Sequence, residues 1–183
     1  MKKWLIGSLV GAILVFLWQF LSWTILPVHS GEAKYTPAEK EVINSLSTSI
    51  KEEGVYMLPT APPGASMSDR EKVMKDNVGK PWITVIYRNN YQIEMAMPMI
   101  RGFLIDVVLV FILIYVLTRA GTPTSMRIFA GSVAVGLFTF LVGPYTMHNW
   151  FKTPTEAYTG HLLDAFVAWG LCGLWLGWWL NRK

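Results

Sequence analysis

Four long apolar runs constrain this chain more than any other feature, because each is close to the length of a membrane-spanning helix. They cover residues 4–26, 99–117, 128–142 and 158–180. About 20 apolar residues in an α-helix cross a bilayer core of about 30 Å. Three runs meet that length, and the run 128–142 does so if Pro144 and Tyr145 lie in the membrane interface. The sequence therefore predicts a small polytopic membrane protein.

Charged residues are few and unevenly distributed along the 183-residue chain. They make up 15% of it, against about 25% in a soluble domain, and 52% is hydrophobic. Segments 1–3, 119–127 and 181–183 hold six Lys or Arg and no acid, whereas 27–98 and 146–157 hold ten of the twelve acids. The positive-inside rule predicts cytoplasmic N- and C-termini and two extracytoplasmic segments. The net charge of +4 therefore comes from Lys and Arg next to the predicted spans. Such residues contact anionic lipid, so the charge does not indicate a nucleic-acid partner.

The first run also has features of a signal peptide. Lys2 and Lys3 precede it, and Val28-His29-Ser30 is a candidate cleavage site. Its apolar stretch is longer than the about 7–15 residues usual in signal peptides. We therefore predict that the run is an uncleaved first helix.

The predicted fold class is an α-helical membrane protein, a four-transmembrane-helix bundle with a small extracytoplasmic α+β insert between helices 1 and 2. Residues 1–26 form transmembrane helix 1, residues 27–97 form the insert, and residues 98–183 hold transmembrane helices 2–4. Small residues recur four apart in the runs, which favours close helix packing in lipid. These spacings are Gly7-x-x-x-Gly11, Ser132-x-x-x-Gly136 and Gly173-x-x-x-Gly177.

The insert has patterns of both helices and strands. Helix periodicity covers 37–53, begun by the capping box Thr36-Pro37-Ala38-Glu39, and Ser68 is the predicted cap of a second helix over 69–77. The strand patterns cover 55–59, 82–87 and 91–97. Since Arg88-Asn89-Asn90 tolerates positive φ, we predict a hairpin between the last two strands.

Ionisable residues near the predicted outer ends of the runs are the best candidates for a functional site. An ionisable residue within a span is costly and indicates function. His161 and Asp164 are three residues apart and share a helix face, and Asp106 is expected to be the most sensitive position in the spans. If the bundle gathers these side chains, they form a polar pocket that opens outward. The candidates are Asp106, His161, Asp164, His148 and His29, with Gln19, Ser22 and Asn149 at the same level.

Three interpretations of this level stay open: a structural polar network, which we favour, a metal, haem or substrate site, or unrelated interfacial residues. No cofactor is predicted, and a metal is the alternative, because imidazole and carboxylate suit zinc, copper or iron. Its candidate ligands are His161, His148 and Asp106. A bis-histidine haem is disfavoured, since His148 and His161 are only 13 residues apart near the interface. The Met95-x-Met97-x-Met99 run would suit copper(I), but it fits an apolar strand face better.

The function predicted from these features is non-enzymatic. The sequence has no H-E-x-x-H pair, no G-x-S-x-G elbow and no Gly-rich phosphate loop. We predict an accessory or scaffold subunit of an envelope membrane complex, whose partners are membrane lipid and other membrane protein subunits. The alternative is a metal- or small-ligand-binding membrane protein that uses an outward-facing His/Asp pocket. A membrane enzyme ranks third.

Three stretches of the sequence carry a resemblance to other proteins. They are W-Q-F-L-S-W at 18–23, G-V-Y-M-L-P at 54–59 and R-G-F-L-I-D at 101–106. Together they resemble a group of small bacterial inner-membrane proteins with four spans and a long first outer loop. The resemblance covers most of the chain. It implies the same architecture and the bacterial inner membrane as location, and it implies no catalytic residue.

Overall fold

The computed structural model divides the chain into two compact units. One consists of Met1–Lys34 and Glu94–Lys183, and the other is Tyr35–Ile93. The described residues are 2–119, 121 and 123–182. Parts of every predicted cytoplasmic segment therefore lie outside the described residues, namely Met1, Ala120, Thr122 and Lys183.

The described residues are mostly helical. In chain order the helices are α1 (Lys2–Thr24), α2 (Glu39–Ser49), α3 (Met67–Asp76), α4 (Ala96–Thr118), α5 (Ser125–Phe140), α6 (Thr146–Phe151) and α7 (Thr155–Asn181). A 3-10 turn at Pro27–His29 follows α1, and a π-helical turn at Leu141–Tyr145 joins α5 to α6. Among the described residues, four helices are long and apolar enough to cross a membrane: α1, α4, the continuous Ser125–Phe151 and α7. The helical character predicted for the four runs is thus confirmed.

The third of these helices runs past Pro144. Proline has no N–H, and its ring clashes with the carbonyl of the preceding helical turn, so an interior proline disturbs an α-helix. Here the π-helical turn Leu141–Tyr145 contains it, and helical structure continues to Phe151. Lys152, in the left-handed region at φ 53°, then ends the helix. The helix therefore extends beyond the predicted run 128–142.

The long helices of the first unit pack as antiparallel neighbours. α1 packs against α4 and α7, and α7 packs against α5. The indole of Trp179 donates to the Lys3 carbonyl at 2.7 Å, and the Ser125 hydroxyl donates to the Gly177 carbonyl at 2.7 Å. The starts of α1 and α5 therefore lie near the end of α7.

The small-residue spacings lie at these helix contacts. A Cβ on Gly11 would lie 2.9 Å from Cγ1 of Val110 and 3.2 Å from Sγ of Cys172. A Cβ on Gly173 would lie 2.8 Å from Cβ of Ser132. Such close approach of the helix backbones allows dispersion contacts to stabilise the bundle. The fully buried core beside these glycines includes Val15, Val110, Ile114, Ile128, Cys172 and Leu176.

The Tyr35–Ile93 unit contains a two-stranded antiparallel sheet. Strand β1 (Gly54–Leu58) pairs with β2 (Ile83–Tyr87), with Val55 opposite Ile86. The first two strand patterns are thus confirmed. The hairpin predicted over 82–97 is wrong, because β2 pairs back to β1 and α4 already begins at Ala96.

The residues around that missing strand belong to the start of a helix. Pro98 lies in the first turn of α4. N–H groups in a first turn have no partner within the helix, so a proline there costs no helical hydrogen bond. Met97 and Met99 lie in α4, and Met95 is its N-cap, so the predicted methionine strand face is wrong. In so short an apolar stretch, alternation of side chains does not distinguish a strand from the start of an apolar helix.

The two helices of the insert differ from prediction at their ends. α2 is shorter than 37–53, and its N-cap residue Ala38 provides no side-chain cap. The cap of α3 is Ser66, whose hydroxyl accepts from the Asp69 N–H at 3.2 Å, and not the predicted Ser68. Both errors concern helix ends, where several serines and threonines compete for the same role.

Candidate metal centre

The end of α1, the 3-10 turn after it and the start of α7 bring two histidines next to two carboxylates. His29 lies in the turn that Pro27 begins, and Glu32 follows three residues later. His161 and Asp164 lie in α7. Their side chains are 5%, 23%, 32% and 15% exposed, in the order His29, Glu32, His161 and Asp164. We call these four residues the His/carboxylate cluster.

The contacts in the cluster cross between chain segments. Nε2 of His29 lies 2.8 Å from Oδ2 of Asp164, and its Nδ1 contacts Oε1 of Glu32. Nε2 of His161 lies 3.2 Å from the same Glu32 oxygen. Each carboxylate thus contacts a histidine of the other segment, and Glu32 also contacts the histidine of its own. The turn after α1 is fastened to α7 by these polar contacts.

The Asp164 carboxylate has hydrogen-bond contacts with three side chains. Besides the contact with His29, its Oδ1 accepts from the Trp18 indole at 2.9 Å and from the Ser22 hydroxyl at 2.6 Å. Trp18 and Ser22 are four residues apart in α1, so both point at α7 from one helix face. A carboxylate placed among three donors is held in one orientation, and it in turn holds the His29 ring.

The indole of Trp23 covers the histidines. Its ring stacks on that of His29 with centroids 3.9 Å apart and an interplanar angle of 10°. The His161 ring lies 5.8 Å from Trp23 and 5.2 Å from His29. Stacking and the hydrogen bond to Asp164 together restrict rotation of the His29 ring.

Three ligand atoms of the cluster are close enough together for one metal ion. One ligand atom each from His29, Glu32 and His161 lie within 4.8 Å of one another, and Oε1 of Glu32 contacts Nδ1 of His29 and Nε2 of His161. Ligands bound tetrahedrally to zinc at about 2.0–2.1 Å lie about 3.3 Å from each other, so small side-chain movements would complete the site. Two imidazoles and one carboxylate are a ligand set that suits zinc or iron(II).

The charges of the cluster favour a cation. Among the described residues, the ion-pair contacts of Glu32 and Asp164 are all to His29 and His161, and none is to lysine or arginine. The charge of the two carboxylates is therefore balanced within the cluster, by the histidines or by a bound cation. Buried charge is costly unless it is paired, and a divalent ion would balance it.

Asp106 and His148 lie outside the cluster. Asp106 in α4 is 4% exposed, and its contact is with the Gln19 amide, at 3.5 Å from Oδ1. His148 has its Nδ1 2.5 Å from the Thr153 carbonyl oxygen and its ring 4.6 Å from that of Tyr158. Of the five predicted site residues, the fold brings together His29, His161 and Asp164.

Sequence reasoning missed Glu32 and Trp18. Glu32 lies beyond the first apolar run, within the predicted insert 27–97. A signal was present, because His29-x-x-Glu32 repeats the spacing of His161-x-x-Asp164. Trp18 was hidden in the apolar run, where an indole N–H that needs an acceptor leaves no mark in hydropathy.

Clefts reach the cluster at two places. A cleft of about 520 Å³ is lined by His29, Glu32 and Trp23, among others. Another of about 370 Å³ is lined by His161 and Asp164 and continues along the apolar side chains of α5 and α7. Each of the three candidate ligand residues therefore lies on the wall of a cleft.

Fold and site together define a class: a helical protein with four candidate membrane-spanning helices and a candidate two-histidine, one-glutamate metal centre. No protein-family model, no curated protein and no solved structure matches the chain.

Proposed function

We propose that this protein is an integral membrane protein that binds a divalent transition-metal ion through His29, Glu32 and His161. The observation that supports the proposal is the convergence of three ligand atoms of the right chemistry within 4.8 Å. Asp164 adds to it, because metal-bound histidines usually donate their other ring N–H to a carboxylate or a carbonyl. The contact between His29 and Asp164, at 2.8 Å, has that arrangement.

Each residue of the cluster has a distinct role in this proposal. Asp164 accepts the Nε2–H of His29, which leaves Nδ1 as the nitrogen with a free lone pair. Glu32 supplies the anionic oxygen, and His161 supplies the second nitrogen. Three protein ligands leave a fourth position of a tetrahedral ion for water or a small ligand.

The membrane placement belongs to the same proposal. We place the protein in the bacterial inner membrane with both termini cytoplasmic and residues 27–97 extracytoplasmic, so that the cluster lies near the outer surface. The excess of Lys and Arg in segments 1–3, 119–127 and 181–183 supports this orientation. The antiparallel packing of α1, α5 and α7 also supports it, because it gathers the described parts of these segments at one end.

A zinc titration tests the metal site. Chelator-treated protein in detergent is melted with and without zinc, and its metal content as purified is measured by mass spectrometry. Ligand at 100 times Kd stabilises a protein by about 2.7 kcal/mol, so zinc should raise the wild-type Tm at one ion per chain. His29→Ala and His161→Ala should lose the response.

His148→Ala is the matched control, since His148 is also a histidine near a helix end but contacts Thr153 and Tyr158 instead of the cluster. It should keep the zinc response. An unchanged wild-type Tm, or an equal shift in the His29→Ala protein, would contradict the metal site. The first result would leave the cluster as the structural polar network.

The pH dependence of zinc binding provides an independent check. Imidazole must be neutral to bind a metal, so protons compete with zinc for His29 and His161. Zinc affinity should therefore fall as pH is lowered. An affinity that stays constant as pH is lowered would contradict ligation by the two histidines.

Cysteine labelling tests the orientation. Tyr91→Cys and Met126→Cys replace side chains that are 93% and 72% exposed, and the native Cys172 is fully buried. In spheroplasts, a membrane-impermeant maleimide should label position 91 and should not label position 126. The reverse pattern would overturn the proposed topology.

The accessory or scaffold role in an envelope membrane complex stays a prediction. It concerns partners and is compatible with a metal centre. Co-purification of a stoichiometric membrane subunit from mild detergent would support it, and recovery of the chain alone under those conditions would count against it.

A further inference from the structure

The Tyr35–Ile93 unit has a cleft of its own, of about 630 Å³. It lies between the end of β1, the proline-rich loop after it and one face of α3. Small-molecule sites usually measure about 300–1,000 Å³, so the cleft has the size of a ligand site. Its apolar wall includes Met57, Pro62, Met67, Val73, Met74 and Trp82.

Large apolar side chains on this wall are open to solvent. Met67, Met74 and Trp82 are 73%, 64% and 45% exposed. A concave patch of exposed apolar groups with a polar rim is typical of a binding site. Methionine side chains adapt to the shape of an apolar ligand, and an indole provides a flat contact surface.

The charges around the cleft have one sign. Arg70 and Lys80 are the charged residues that line it, and no acidic residue is among its lining residues. Neither takes part in the ion pairs of the described residues, which include Lys75 with Glu71 and Arg88 with Glu53. The cleft thus combines an apolar wall with two cations that have no carboxylate partner there.

The Arg70 guanidinium is held in place by the chain. Its Nε donates to the Ala65 carbonyl at 3.2 Å, just before the start of α3. Among the described residues, no acceptor bonds to the terminal nitrogens of the guanidinium, and a planar guanidinium binds a carboxylate with two parallel hydrogen bonds. Arg70 is therefore a preoriented anion-binding group at the edge of an apolar cleft.

We propose that this cleft binds a single-chain fatty carboxylate. The acyl chain would lie against the methionines and Trp82, and the carboxylate would be bound by Arg70 and Lys80. The ligand has to carry one compact anionic group and an apolar body, because the cleft provides complements for both. A lipid-derived source fits the proposed membrane placement, since residues 25–34 and 94–95 are the only chain between this unit and the candidate membrane helices α1 and α4.

Photocrosslinking tests this site in the full-length protein. The chain is placed in nanodiscs of zwitterionic lipid and illuminated with dodecanoate that carries a diazirine on its chain. Peptides covering residues 57–82 are then analysed by mass spectrometry. We expect crosslinks in these peptides that excess dodecanoate removes. The corresponding alcohol, with the same chain and no charge, should label them at least about fivefold less.

Charge variants test the head-group contact. Arg70→Gln with Lys80→Gln should lower crosslinking of these peptides by about tenfold or more. Lys72→Gln with Lys75→Gln is the matched control. It also removes two positive charges, but from residues of α3 that do not line the cleft. Circular dichroism and melting of both double variants establish that the unit is folded.

Several outcomes would overturn the proposal. Equal labelling by carboxylate and alcohol, or equal loss in the two double variants, would remove the anion contact. Crosslinks confined to α1, α4, α5 and α7 would show partition into the nanodisc alone. Displacement of the probe by an acidic peptide but not by dodecanoate would assign the cleft to a protein partner. The zinc titration tests residues outside the Tyr35–Ile93 unit. Either proposal can therefore be wrong while the other is right.

Discussion

Asp164 and Asp106 are both aspartates in apolar helices that pack against α1, and their carboxylates have opposite surroundings. Asp164 contacts the indole of Trp18, the hydroxyl of Ser22 and the ring of His29. Asp106 contacts only the Gln19 amide, at 3.5 Å, and its Oδ2 is buried with no hydrogen-bond partner among the described residues. The two acids lie at the same level of α1, on different faces of it.

This difference arises from α1, which supplies two donors to Asp164 and one long contact to Asp106. Trp18 and Ser22 are four residues apart and donate to Asp164 of α7, whereas Gln19, about 100° from Trp18 around the helix, contacts Asp106 of α4. Buried polar atoms are nearly always hydrogen-bonded, so the unpaired oxygen of Asp106 among the described residues distinguishes this carboxylate from that of Asp164. Asp164 instead anchors the turn that holds His29.

The largest expected effect comes from Asp164→Ala. The variant removes the acceptor of Trp18, Ser22 and His29 together. Loss of one partner from a buried charged network typically costs about 3–5 kcal/mol. The free energy of unfolding in detergent should therefore fall by about that amount, while Asp106→Ala should lower it by less than half as much. Equal losses would remove the distinction between the two carboxylates.

The sequence predicted the helices because hydropathy over about 20 residues averages out local detail. It also predicted that His29, His161 and Asp164 lie at one level, since each is near the outer end of an apolar run. It could not predict that Asp164 contacts His29 or that His148 lies apart. Those facts depend on the rotation of each helix about its axis, which hydropathy does not report.

The sequence also made Asp106 the expected sensitive position, on the ground that a buried acid needs a partner. We expect Asp164 to be the more sensitive position, because its carboxylate has three hydrogen-bond contacts. Depth in a span follows from sequence position, but the number of donors around a carboxylate follows from the faces of neighbouring helices. The same limitation hid Glu32, which joins the cluster because the 3-10 turn at Pro27–His29 folds the chain back toward α7.

A double-mutant cycle should sharpen the comparison at an intermediate effect. His29 and Asp164 are in direct contact, so the destabilisation by His29→Ala with Asp164→Ala should differ from the sum of the single effects by about 0.5–3 kcal/mol. The pair His29→Ala with Asp106→Ala is the control and should be additive within about 0.5 kcal/mol. Denaturant unfolding of the six proteins gives both cycles. Strong coupling of His29 to Asp106 would mean that the two acids belong to one site.

The smallest expected effect is that of Asp106→Asn. Asparagine keeps the size of aspartate and keeps an oxygen for the Gln19 amide, whose contact at 3.5 Å is already long. It removes a buried ionisable group that has an unpaired oxygen, and it introduces an amide N–H₂ that lacks an acceptor. These terms oppose each other, so the free energy of unfolding should change by less than about 1 kcal/mol. Asp164→Asn is the matched comparison: it places an N–H₂ beside donors that need an acceptor, and it should be clearly more destabilising. Melting of both variants in one detergent decides the point, and a larger loss for Asp106→Asn would reverse the ranking of the two carboxylates.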